Sequence, residues 1–118
     1  MKNVLADKSY KFSLEIMRVF KYIVKDKNEY TLGKQLLRSG TAIGALIREA
    51  EFAQSKADFI NKLSISLKEA NETRYWLSLL SDSNYIELGS AEKLIKECSE
   101  LIALLVSSIN TSKKSLKK

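Results

Sequence analysis

Histidine and proline are absent from the 118 residues, cysteine occurs once, at Cys98, and glycine only four times. Each shortage excludes something. Without histidine the chain lacks the commonest general base and the commonest metal ligand. A single cysteine rules out a disulfide framework within the chain and the usual zinc and iron–sulfur sites, and it suits a reducing, cytoplasmic setting. With no proline and few glycines, the punctuation that strands and tight turns require is missing, so long helices joined by short polar loops are favoured. The longest apolar run, residues 101–106, is far too short to cross a bilayer. The first seven residues lack the apolar core of a signal peptide. Neither GxGxxG nor GxxxxGK[ST] occurs, so no phosphate-binding glycine loop is present.

What is there fits one soluble helical domain: 45% of residues are hydrophobic and 29% charged, an ordinary balance for a chain that buries its own core. Apolar spacing marks four helices. The first spans about residues 9–27, with Phe12, Ile16, Val19, Phe20 and Ile23 inward and Asp7 or Ser9 as its cap. The second spans about residues 31–53, capped by Thr31, with Leu32, Leu36, Ile43, Ile47 and Ala50 inward. Ser55 and Asp58 have the spacing of a capping box, and the third helix follows to about residue 80, with Ile60, Leu63, Leu67, Ala70 and Leu77 on one stripe. The fourth spans about residues 90–109, with Ser90 as cap and Gly89 just outside; Leu94, Cys98, Leu101, Leu105 and Ile109 face inward. Short loops between such helices predict an all-α, antiparallel, up-down-up-down four-helix bundle over residues 1–112, followed by a disordered basic tail at 113–118.

Three groups of residues stand out. Gly40 and Gly44 lie in a run of small residues in the middle of the second helix, where each costs about 1 kcal/mol relative to alanine. Close approach of another backbone offsets that cost, either within the bundle or between subunits. Six successive apolar residues, 101–106, cover the whole circumference of the fourth helix, whereas a helix on the surface of a monomer keeps a polar face. Gly40, Gly44, Ile102, Leu104 and Val106 are therefore candidate subunit-interface residues. Arg38, Glu49, Glu69 and Arg74, on the two central helices, are candidates for a structural ion-pair network that fixes register.

Net charge is +6, but four lysines sit in the last six residues, and the rest of the chain carries 16 basic against 14 acidic residues. Lys21, Lys25 and Lys27, with Lys113, Lys114, Lys117 and Lys118, are candidate phosphate contacts for RNA or another nucleic acid. Cys98 lies on an apolar stripe and reads as a core residue. Tyr75 and Trp76 read as packing residues or interface. No catalytic residue, metal, cofactor, membrane contact or small-molecule substrate is indicated.

The stretch from Gln35 to Gly44, then Glu49-Ala50, Ala53 to Phe59, Lys62 to Ala70 and Glu72 to Leu77, resembles the signature of a bacterial family. These are the four-helix bundle proteins named after the intervening sequences of 23S ribosomal RNA genes, also called the S23 ribosomal protein family. The resemblance covers about residues 10–108. It implies a homopentameric ring and does not imply a catalytic activity. The family is similar to the accessory protein of diversity-generating retroelements, a basic pentamer that binds nucleic acid. The resemblance assigns no functional residues.

Overall fold

The computed structural model describes residues 3–116; Lys117 and Lys118 of the expected tail lie outside them. Four helices follow one another: α1 (Val4–Lys27), α2 (Tyr30–Glu51), α3 (Lys56–Asp82) and α4 (Leu88–Leu116). Each packs on the next, and α4 returns to α1, so the bundle closes on itself. Its long axis measures 52 Å, as helices of this length rising about 1.5 Å per residue require. The expected up-down-up-down architecture is thus the observed one. The α1–α4 seam is the least closely packed of the four.

The core consists of the residues that the helical spacing selects. Ile16 and Ile23 of α1, Leu36 and Ile43 of α2, Leu77 and Leu80 of α3, and Leu101 and Leu105 of α4 are fully buried. Each such side chain contributes about 2 kcal/mol through removal from water. Four buried hydroxyls, those of Ser9, Ser39, Ser66 and Thr73, interrupt this apolar interior, and each has a hydrogen-bond partner. Ser66 Oγ donates across the α2–α3 seam to the Ile43 carbonyl at 2.9 Å.

Helix ends depart from the sequence expectation in instructive ways. α1 starts at Val4, and neither Asp7 nor Ser9 caps it: Asn3 accepts from the Ala6 N–H at 3.1 Å. Leu5 and Ala6 pack against the core, which extends the helix toward the N-terminus. Ser9 is buried, and its hydroxyl donates to the Ala6 carbonyl. The cap of α2 is Glu29, not Thr31; its carboxylate accepts from the Leu32 N–H at 2.8 Å. Ser55 caps α3 as expected, at 3.0 Å from the Asp58 N–H, and Asp58 reaches back to the Gln54 N–H.

The last helix begins at Leu88, which places Gly89 and Ser90 inside its first turn. At its other end it continues to Leu116, so Lys113 and Lys114 are helical rather than part of a disordered tail. Lysines in a last turn complement the negative pole of the helix, and Lys56 at the start of α3 donates to Ser115 Oγ at 2.9 Å.

Candidate functional site

The small-residue run of α2 is used inside the chain. Gly40 is buried against α1, where a Cβ would stand 2.8 Å from Ile16 Cγ2, and Gly44 faces Ser9 and Ser13. Both glycines serve close packing within the chain, and for Gly40, which is fully enclosed, this replaces the subunit-interface reading. Ser9 Oγ and the Ser9 carbonyl lie 3.3 and 3.4 Å from a Cβ built at Gly44. The helices approach closely there because only a hydrogen stands between them.

Most of the apolar run on α4 also has partners within the chain. Leu101 and Leu105 are core residues, while Ile102 and Leu104 are half-buried on the flanks. Ile102 lies one turn from Cys98, whose thiol donates to the Ala70 carbonyl of α3, so it sits on the α3 side. Only Ala103 and Val106 of the six face outward. Neighbours on both sides of α4 thus account for apolar residues around most of its circumference.

The ion-pair network exists with a different membership. Arg38 on α2 reaches Glu69 at 3.2 Å and pairs with Glu72, both on α3; Gln35 Oε1 also accepts from its Nε. Glu72 in turn accepts from Trp76 Nε1 at 2.9 Å, and Tyr75 meets Trp76 edge to face. Arg74 and Glu49 are not members. Arg74 points along the other flank of α3, toward Ser99 of α4 and Asn71. Glu49, near the end of α2, pairs with Lys62 at 2.9 Å near the start of α3. The sequence placed all these residues on two adjacent helices but could not say which flank each occupied. Trp76 and Glu72, one helical turn apart, were the signal that sequence reading passed over.

The lysines do not converge. Lys21, Lys25 and Lys27 are exposed on the last turns of α1, and Lys27 shares a surface groove with Ser81, Asp82 and Asn84 at the α3–α4 connection. Lys113 and Lys114 lie beside the α2–α3 connection, as the Lys56–Ser115 contact shows. The two groups therefore occupy opposite ends of a 52 Å bundle. Among the described residues, none of Lys21, Lys25 and Lys27 is in an ion pair.

One surface was not anticipated. Tyr10, Leu14 and Met17 follow one another at steps of four and three on α1 and remain 62, 40 and 43% exposed. That spacing puts them on a single outward stripe. Arg48 of α2 lies beside Tyr10. In the sequence, Leu14 and Met17 were hidden among the inward residues of an evenly apolar helix.

Among the described residues, no three His, Cys, Asp or Glu side chains come close enough to hold a metal ion, and no helix is long and apolar enough to cross a membrane. Set beside known families, the chain matches the model of the 23S rRNA-intervening sequence protein over residues 1–107. It belongs to that family. No curated protein matches it. The solved structure of an S23 ribosomal protein family member from Bacteroides thetaiotaomicron VPI-5482, a protein of unknown function, is 52% identical, with a TM-score of 0.89 over 90% of this chain and 98% of that one. The resemblance read from residues 35–80 is thereby established for 23S rRNA-intervening sequence proteins. It covers both central helices, including the Arg38–Glu72–Trp76 face.

Proposed function

We propose that this protein is a non-enzymatic, self-assembling scaffold whose α1 stripe meets a second copy of the chain. The carrying observation is the exposed row Tyr10, Leu14 and Met17. A helix that has already buried one apolar face in a bundle has no internal use for a second. Tyrosine and methionine are also enriched where proteins meet. The homopentamer implied by the family resemblance is the assembly expected. Its test is light scattering behind size exclusion at micromolar concentration, on the native chain and on Met17→Glu. A multimer that disperses in the variant supports the reading, whereas a native monomer overturns it.

A second reading, RNA binding, rests on the exposed Lys21, Lys25 and Lys27, which form no ion pair among the described residues. A ring would repeat this patch in every subunit, so weak sites would act together. Binding to structured RNA would then fall steeply with salt as phosphate counterions are released. Replacing the three lysines by glutamine should abolish co-elution with RNA. Removing residues 112–118 tests the other end separately, and RNA retained without either set ends this reading.

A further inference from the structure

Glu15 of α1 and Glu97 of α4 project into one cleft of about 310 Å³ on the α1–α4 seam, whose other walls are Lys8, Lys11, Phe12, Glu100 and Leu101. Both carboxyl groups line the same cleft, near enough for a hydrogen bond between them. Two ionised carboxylates cannot make that bond, because both are acceptors only. A second observation points the same way. Lys93 Nζ donates to Glu15 Oε1 at 3.2 Å and Lys8 lies 3.9 Å from Glu100, yet among the described residues no hydrogen-bond donor reaches the buried Glu97 Oε1. One proton held between Glu15 and Glu97 accounts for both facts.

We propose that Glu15 and Glu97 form a proton-operated latch on the α1–α4 seam: one shared proton holds the two helices together, and its loss sets two like charges against each other at the least closely packed contact of the bundle. The charged groups facing the pair are Lys8, Lys11 and Arg18 from α1, and Lys93 and Glu100 from α4; α2 and α3 contribute none to the cleft. Lys93 and Arg18 favour the charged form of Glu15, so the proton resides mainly on Glu97. Burial first, and then the hydrogen bond and charge of Glu15, push the Glu97 carboxyl above the ordinary carboxylate range. Burial also acts upward on Glu15, but hydrogen bonds from Glu97 and Lys93 outweigh it and hold that carboxyl below its usual value.

The direction of the pH dependence follows. A carboxyl raised in the fold stabilises it most below the ordinary value, and that stability is lost as pH rises through the raised value. A lowered carboxyl stabilises above its ordinary value and loses this as pH falls through the lowered one. The pair with one proton is thus favoured between those two limits, and the latch opens on the alkaline side.

The test compares the native chain with Glu97→Gln, whose amide donates to Glu15 at any pH. Between about pH 5 and about pH 8 the native melting temperature should fall by several degrees relative to the variant. Over the same range, native α1 amides at residues 8–18 should lose protection against hydrogen exchange, after correction for intrinsic rates, while those of α2 and α3 do not. Parallel melting profiles overturn the latch. Carbon-13 titration of the native glutamate carboxyls decides independently, should the variant fail to fold. One carboxyl titrating above the ordinary range upholds the proposal, and none doing so overturns it.

Discussion

Gly40 of α2 lies so close to Ile16 of α1 that an added Cβ would stand 2.8 Å from Cγ2 and 2.9 Å from Cγ1 of the isoleucine. Both residues are buried, so the Ile16 side chain has no room to swing away. The helix-propensity cost of glycine is offset by the approach it allows.

Gly40→Ala should therefore destabilise the bundle by about 1–2 kcal/mol, overpacking outweighing the roughly 1 kcal/mol gained in helix propensity. Gly89→Ala should do the opposite. Gly89 is helical with nothing within 4 Å of an added Cβ, so only the propensity gain of up to about 1 kcal/mol remains. Urea unfolding of the two variants checks the contrast in sign. Combining Gly40→Ala with Ile16→Ala should cost less than the sum of the single changes, because the cavity left by one accommodates the other.

Arg38 bridges α2 and α3 through Glu69 and Glu72, but its side chain is 50% exposed. Solvent screens a pair of that kind, and exposed pairs contribute about 0–1 kcal/mol. Arg38→Ala should thus unfold within about 1 kcal/mol of the native chain. A larger effect on the assembly than on the fold would show that this face, with Trp76 and Tyr75 beside it, contacts another molecule. Equilibrium unfolding and light scattering on the same variant separate the two quantities.

How far these features could be read from sequence depends on which physical rule governs each. The 3.6-residue spacing places Ile16, Ile43, Leu77 and Leu105 inward without reference to any neighbour, and those positions are buried as expected. The Ser55 cap was legible because its partner Asp58 lies three residues away. Glu29 was less visible as a cap, since its longer side chain must curl back to Leu32 N–H, and preference there goes to shorter residues. The flank a side chain occupies depends on where the neighbouring helices sit. Arg74 and Arg38 look alike in sequence, yet one faces Ser99 of α4 and the other Glu69 of α3. The pairing of Glu15 with Glu97 was out of reach for the same reason: 82 residues and a closed bundle separate them.

Ser39 and Thr73 are buried, with their hydroxyl oxygens 3.0 Å apart across the α2–α3 seam. The Thr73 proton is shared between Ser39 Oγ at 3.0 Å and the Glu69 carbonyl at 2.8 Å, and Ser39 donates to the Gln35 carbonyl at 3.1 Å. Thr73→Val keeps the shape and removes one bond without stranding a donor, so it should cost about 1 kcal/mol. Adding Ser39→Ala then removes only the Ser39–Gln35 bond, so it should cost less than Ser39→Ala made in the native chain. A double-mutant cycle by urea unfolding measures the coupling, and additive costs would mean that the hydroxyls act independently.

Cys98 gives the most direct check on the interior. Burial pushes its thiol up to about 12, with Arg74 nearby acting only weakly against this, and its Sγ donates to the Ala70 carbonyl at 3.2 Å. The thiolate is the reactive form, and at neutral pH it is almost absent in the folded chain. A thiol-specific reagent should therefore label the native protein only as fast as the α3–α4 seam opens, and label it fully in denaturant. The labelling rate then reports the opening equilibrium at that seam. If the native thiol reacted as fast as a free cysteine, neither this burial nor the close α3–α4 packing around it would hold in solution.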